Sequence, residues 1–246
     1  MDEGEDGVIL LDTVGPGTFL DGFQFIGENG WLIWHKVDEQ LALSAAAMGV
    51  AIAIAIPIGV ILGHVHRGSF IAINASNIGR ALPSLAVVAI GISVFGIGFT
   101  NIMVALVILA VPPMLTNAYV AVDEVDRDVV QAARGMGMRE RDVLFRVELP
   151  LSLPLIFAGM RTAAVYVVST ATIAAIAGGG GLGDIIVNQA SYRFQGVIGA
   201  AYCVAALALL ADLGLGGIQW VITPRSLRRR VLFTPDRTTA QPVLDQ

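Results

Sequence analysis

Long apolar stretches separated by short polar segments dominate the sequence. A helix needs about 20 apolar residues to cross the ~30 Å hydrocarbon layer of a bilayer, and five stretches reach or approach that length. We predict transmembrane helices at roughly 41–63, 81–98, 102–122, 155–177 and 197–222. The second stretch is short, and the amphipathic residues 69–80 would lead into it. The pattern therefore predicts an all-α, polytopic membrane protein with five transmembrane helices.

The polar segment 125–150, between the third and fourth stretches, has a helical pattern of its own. Asp126 is a residue type that caps helices, and apolar residues around it fall on one helical face: Val125, Val129, Val130 and Ala133. The segment therefore begins with a short amphipathic helix.

A second helical pattern follows two glycines in the same segment. Gly135 and Gly137 predict a turn in which Gly137 is free to adopt a positive φ. Apolar residues then recur between charged ones, at Val143, Leu144 and Val147, and we expect Pro150 to end this helix. Two short helices joined at a glycine would form a compact projection whose apolar face and charged rim suit a groove in a partner protein. We call residues 125–150 the two-helix segment.

Particular residue types recur in this segment at fixed spacing. In order they are Gln131, Ala132 and Ala133, three residues, Gly137, nine residues, Val147, one residue, Leu149 and Pro150. This order resembles the EAA coupling motif of ABC importer permeases, EAA-x3-G-x9-I-x-L-P. Gln131 replaces the usual Glu and Val147 the usual Ile, while the spacing is intact. Gln131 has a polar side chain of similar length to Glu, but it is uncharged and cannot form a salt bridge with a partner.

The resemblance implies the fold of a type I ABC importer permease, with a cytoplasmic two-helix coupling element. It also implies that the two-helix segment, Gly135 included, docks in a cleft of a cytoplasmic ATPase subunit. No catalytic residue is predicted. No cofactor or metal is predicted in this chain, because ATP and Mg²⁺ would be bound by the partner ATPase.

Composition agrees with a membrane protein. Hydrophobic residues make up 55% of the chain and charged residues 14%, with a mean hydropathy of +0.74, which is too apolar for a soluble domain. The single cysteine, Cys203, lies in an apolar stretch and excludes an intrachain disulfide framework. We interpret it as a small buried hydrophobe.

Basic residues are distributed unevenly between the polar segments. With the two-helix segment on the cytoplasmic side, twelve lie in segments predicted inside: 64–80, 123–149 and 224–246. Two lie in segments predicted outside: 1–40, 99–101 and 178–194. This asymmetry predicts an N-terminus outside and a C-terminus in the cytoplasm, in the cell (plasma or inner) membrane.

The same distribution divides the chain into three parts. Residues 1–40 carry nine acidic residues and one basic residue, and we predict an extracytoplasmic or interfacial segment. Residues 41–222 form the transmembrane permease domain. Residues 223–246 form a basic cytoplasmic tail that would contact the lipid surface.

A run of glycines follows the fourth apolar stretch. Gly180, Gly181 and Gly183 belong to it, and it lacks the Gly-Lys-Ser/Thr ending of a phosphate-binding loop. The residues alone allow a flexible cap or a functional hinge. The run is similar to the GAGGLG segment of permeases for glycine betaine, carnitine and choline.

Other short motifs extend this narrower resemblance over about residues 41–228. Pro83-Ser84-Leu85 is similar to the IPSLAL start of a core span, and residues 158–163 to the AGIRTA segment after the coupling element. Ala211-Asp212 also matches late in the last span. The resemblance implies a substrate that is a quaternary-amine osmoprotectant such as glycine betaine, choline or carnitine.

Two charged residues lie within the apolar stretches, where an unpaired charge is costly. Arg161 and Asp212 either pair across spans in a structural role or, with Pro83 and Ser84, line the translocation path. The histidines His35, His64 and His66 show no metal-binding spacing, and we expect no carboxylate beside His64 or His66.

The resemblance implies four kinds of partner: the ATPase, a second permease copy in a homo- or heterodimer, an extracytoplasmic substrate-binding protein and the lipid membrane. No nucleic acid is expected. A permease for methionine, another amino acid or a small anion is the alternative within the class. A self-contained secondary transporter is the alternative outside it, and it would need inverted repeats and an ionisable relay. An intramembrane enzyme would need paired catalytic groups.

Overall fold

Helices form all the regular structure of residues 17–223, the part of the chain that this computed structural model describes. The helices are α1 (Gly17–Glu28), α2 (Gly30–His64), α3 (Ser69–Ala81), α4 (Ser84–Phe95), α5 (Phe99–Asp123), α6 (Arg127–Gly135), α7 (Glu140–Val143), α8 (Leu149–Ala171), α9 (Gly183–Val187) and α10 (Gln189–Ile222). A π-helical turn, Leu144–Glu148, joins α7 to α8, and a 3₁₀ turn, Ile173–Ala177, follows α8. The predictions for residues 1–16 and 224–246 lie outside the described residues.

Four of the described helical stretches are long and apolar enough to cross a membrane: α2, α5, the continuous stretch Glu140–Ala171, and α10. The second predicted span, 81–98, corresponds to α4, which has only 12 residues. Pro83 separates α3 from α4 because proline lacks an N–H and disfavours helical backbone at Leu82, whose ψ is 115°. The all-helical membrane fold is confirmed, while the count of five spans stays a prediction.

α5 lies at the centre of the bundle and packs against α2, α3, α4 and α8. Small residues let α2 approach it closely: a Cβ on Gly59 would lie 2.7 Å from the Cβ of Ala118, and one on Gly63 would lie 2.7 Å from the carbonyl oxygen of Tyr119. Buried alanines, including Ala51 and Ala55, continue the contact along α2. Close packing of small residues is how apolar helices associate in lipid.

α10 packs on the other side, against α8 and α1. It is interrupted at Arg193, where φ is 55° and the backbone leaves the helical region. Phe23 of α1 stacks on Tyr202 of α10 with ring centroids 4.8 Å apart. Cys203 is half-buried and packs in the apolar cluster that α10 shares with α2.

The prediction that Pro150 ends the second short helix is wrong. Pro150 lies in the first turn of α8, and helical backbone continues from Glu140 to Ala171. The turn before it is widened, because Leu149 N–H donates to the carbonyl of Leu144, five residues back. The shift to a hydrogen bond five residues back accommodates Pro150, which has no N–H. The second short helix therefore continues directly into a membrane-spanning helix.

Candidate functional site

The two-helix segment begins with the local features that its sequence predicts. Asp126 caps α6, and its side-chain oxygen accepts a hydrogen bond of 2.9 Å from the N–H of Asp128. Gly137 has a φ of +83° in the turn after α6. The N–H of Met138 donates to the carbonyl of Ala133, which completes a glycine-based helix ending.

A small apolar core holds the two short helices together. It consists of four buried residues, Val125, Val130, Ala133 and Val143, with the half-buried Met138 and Val147 packed against them. Gln131, Ala132, Gly135 and Gly137 are exposed on the outside of this core. The motif residues therefore divide into a supporting set and an exposed set, and the exposed set is available to a partner.

A charged pair joins α6 to the start of α7. The guanidinium of Arg134 donates two hydrogen bonds of 3.0 Å to the two carboxylate oxygens of Glu140. These bonds raise the pKa of Arg134 above its ordinary value. The pair links the end of α6 to the start of α7 at the surface.

A buried acid joins the two-helix segment to α2. Glu148 is 1% exposed, and its Oε2 lies 2.5 Å from Nδ1 of His64, the last residue of α2. The other ring nitrogen of His64 lies 3.5 Å from Oε2 of Glu140. The Oγ of Ser152 lies 2.7 Å from the backbone carbonyl oxygen of Glu148 and 2.7 Å from that of Ala121 in α5, so its single proton is shared between the two acceptors.

A second histidine contact lies nearby. His66 Nδ1 is 2.8 Å from Oδ1 of Asp123, at the end of α5. The expectation that no carboxylate neighbours His64 and His66 is therefore wrong, because chain folding brings acids from distant positions to both rings. His66 also lines a groove of about 300 Å³ with Gln131, Arg127 and Arg134.

Arg161 and Asp212 form a pair across α8 and α10. Nε and Nη2 of Arg161 donate bonds of 2.8 and 2.7 Å to the two oxygens of Asp212. The two side chains are 35% and 31% exposed. Pro83 and Ser84 lie at the junction of α3 and α4, elements that pack mainly against α5.

The glycine run is fixed against α2. Gly180 and Gly181 have φ values of +70° and +76°, which favour glycine. The N–H of Gly181 donates to Oε2 of Glu39 over 2.8 Å, and the N–H of Leu182 donates to Oε1 of Gln40 over 3.0 Å. The N–H groups of the buried residues Gly181 and Leu182 thus have partners on α2.

The same part of the bundle carries an ion-pair cluster. Lys36 Nζ lies 2.8 Å from Oδ2 of Asp184, directly after the glycine run, and 3.0 Å from Oε2 of Glu39. Gln40 is 1% exposed and donates to the carbonyl of Val168 in α8. Three elements, α2, α8 and the glycine run, are joined at this point.

Residues 55–226 match the family described as the binding-protein-dependent transport system inner membrane component, over well more than half of the chain. The chain belongs to this family. The permease is 35% identical over 207 residues to the choline transport system permease protein OpuBB of Bacillus subtilis, covering 84% of this chain and 95% of the relative. It is 36% identical over 205 residues to the carnitine transport permease protein OpuCB of Listeria monocytogenes, covering 83% and 94%.

A solved structure has the same fold. The permease resembles a chain of the MetNI methionine ABC transporter, captured in an inward-facing conformation, with a TM-score of 0.67. The match covers 79% of this chain and 97% of that one at 23% identity. The predicted ABC importer permease fold is confirmed.

Proposed function

We propose that this permease is the membrane subunit of an ATP-driven importer for a quaternary-amine osmoprotectant such as choline, carnitine or glycine betaine. The relatives named for choline and carnitine support this substrate class, because they match nearly their whole length at 35–36% identity. The likeness to a methionine transporter is limited to the fold and does not argue for methionine.

We propose that the two-helix segment couples this permease to a cytoplasmic ATPase subunit, which would bind ATP and Mg²⁺. The observation that carries the proposal is the exposed small-residue surface of α6, with Met136 at its end 77% exposed. Such a surface fits a groove closely. Gln131 is exposed on the same helix and would contact the ATPase through a hydrogen bond.

The contacts of Glu148 suggest how force would reach the membrane helices. Arg134, Glu140, His64 and Glu148 form a continuous chain of contacts from α6 to α2. The π-helical turn continues directly into α8. A displacement of α6 by the ATPase would therefore move the ends of α2 and α8 together, instead of only bending a loop.

The remaining parts of the importer complete the proposal. Two permease copies, identical or similar, would enclose the path, and an extracytoplasmic binding protein would deliver the substrate. The N-terminus would lie outside and the C-terminus in the cytoplasm. The glycine run at Gly180, Gly181 and Gly183 would act as the hinge at the opposite end of α8, and Arg161 with Asp212 would brace α8 against α10.

Reconstitution with the ATPase and binding protein of the same organism tests this function. We expect uptake of labelled choline or betaine into proteoliposomes that requires ATP and all three components. Gly137→Glu should abolish uptake while the permease still inserts in the membrane. Uptake without the ATPase would overturn the coupling role, and uptake of an amino acid but of no quaternary amine would overturn the substrate class.

A further inference from the structure

A cavity of about 210 Å³ lies between α3, α5 and α8, away from the two-helix segment. Its polar side chains include Ser76, Asn117, Thr162 and Tyr166, and its apolar wall includes Pro112 and Pro113. α5 and α8 both belong to stretches long and apolar enough to cross a membrane. The volume is below the usual range for drug-sized ligands, roughly 300–1,000 Å³, and suits a small solute.

No Asp, Glu, Lys, Arg or His is among the residues that line this cavity in the described part of the chain. Its polar groups present mainly oxygen atoms. Asn117 Nδ2 donates to the carbonyl of Pro113 over 2.7 Å, so its side-chain oxygen is left to accept. The Oγ1 of Thr162 donates to the carbonyl of Ala158 over 3.0 Å, and its lone pairs can still accept a hydrogen bond.

The two adjacent prolines add backbone oxygens to this part of α5. Pro112 and Pro113 have no N–H, so the carbonyls of Ile108 and Leu109, four residues earlier, lose their usual helical donors. Leu109 lines the cavity. A backbone carbonyl oxygen carries a partial negative charge, and the one at Leu109 would favour a cation in the cavity.

Tyr166 supplies the aromatic ring of the cavity and is 43% exposed. The face of an aromatic ring attracts a quaternary ammonium group. A primary ammonium carries three N–H donors, which need the oxygen atoms of the cavity and gain nothing from the ring face or the apolar wall. A methylated ammonium has no such donors, and its methyl groups pack against proline and leucine.

We propose that this cavity binds the quaternary ammonium group of the substrate within the membrane, with the Tyr166 ring as its main contact. The proposal rests on the proposed function and adds a substrate site in the permease itself. Selection would then occur twice, first in the binding protein and again between α3, α5 and α8.

The test measures equilibrium binding of labelled choline to the permease–ATPase complex in nanodiscs, without the binding protein. Tyr166→Ala should weaken binding about tenfold, equal to about 1.4 kcal/mol, while Tyr166→Phe keeps the ring and should stay within about twofold. Equal binding by the wild type and Tyr166→Ala would overturn the proposal, as would no binding by the wild-type complex.

A second measurement does not depend on any variant folding. 3,3-Dimethylbutan-1-ol has the shape of choline without its charge, and we expect it to compete with labelled choline at least about tenfold more weakly than unlabelled choline. Equal competition would overturn recognition of the cation. If the wild-type importer transports choline while both binding tests fail, the proposed function stands and the cavity is instead a contact surface for the second permease copy.

Discussion

The carboxylate of Glu148 is buried against the imidazole of His64, 84 positions earlier in the chain. One of its oxygens, Oε2, meets the ring, and the other, Oε1, has no hydrogen-bond partner within the described residues. A buried acid with a single side-chain partner depends strongly on that partner. This contact is therefore the most sensitive point of the connection between the two-helix segment and α2.

We expect His64→Ala to lower the free energy of unfolding by roughly 1–3 kcal/mol, because it leaves the buried acid without its partner. Adding Glu148→Gln should restore part of that loss, since a buried amide costs less than a buried charge. Unfolding of the purified permease by SDS titration measures both effects. His66→Ala is the matched control: His66 is 38% exposed in its pair with Asp123, and we expect a loss under about 1 kcal/mol. Equal losses at the two histidines would contradict the special role of Glu148.

Gly137 and Gly135 provide a second matched pair, because neither has an atom within 4 Å of an added Cβ. They differ in backbone: Gly137 has a φ of +83°, whereas Gly135 is the last residue of α6. We expect Gly137→Ala to destabilise the permease by roughly 1–2 kcal/mol through the left-handed backbone alone. Gly135→Ala should leave stability unchanged or slightly raised. ATP-dependent uptake should fall further in Gly137→Ala, which disturbs both the backbone and the close fit to the ATPase, than in Gly135→Ala, which adds only one methyl group to the docking surface. Equal falls in the two variants would show that surface contact alone, and not the left-handed backbone at Gly137, decides coupling.

These local features of the two-helix segment were predictable because they depend on neighbouring residues. A cap at Asp126 and a positive φ at Gly137 follow from the preferences of Asp and Gly. The prediction that a helix ends at Pro150 was wrong for an equally local reason. A π-helical turn before Pro150 lets the helix continue past a residue that has no N–H, and no residue preference in the sequence signals such a turn.

The contacts that organise the candidate site were not predictable from spacing. Lys36 and Asp184 are 148 positions apart, and which acid a lysine meets depends on how three helices pack. The pair Arg161–Asp212 was foreseen as one of two alternatives because a charge in an apolar stretch needs a partner. The cavity beside Tyr166 was missed, since its lining comes from three helices whose polar residues are individually unremarkable in the sequence.

Variants of the Arg161–Asp212 pair can show whether the pair holds α8 against α10 or lines the translocation path. If it braces α8 against α10, Asp212→Asn should lower the free energy of unfolding, because a charge-assisted bond to Arg161 is lost. The exchange of the two residues, Arg161→Asp with Asp212→Arg, should recover part of the loss. Unfolding by SDS measures stability, and choline uptake at several concentrations measures selection. A variant with wild-type stability and changed substrate preference would show that the pair lines the path.

The glycine run allows a test of its close contact with α8. A Cβ on Gly183 would lie 2.0 Å from the carbonyl oxygen of Thr172, so Gly183→Ala must shift backbone. We expect a loss of roughly 1–3 kcal/mol in the free energy of unfolding, as for other overpacked sites. Gly214→Ala in α10 is the control, because an added Cβ there meets nothing within 4 Å and should cost little.

The same variant tests whether the glycine run is also the hinge of transport. If it is, Gly183→Ala should still bind the ATPase, and its uptake should fall by more than the loss of folded permease explains. Normal uptake in a correctly folded Gly183→Ala variant would remove the hinge role and leave the run as a fixed connection between α2 and α8.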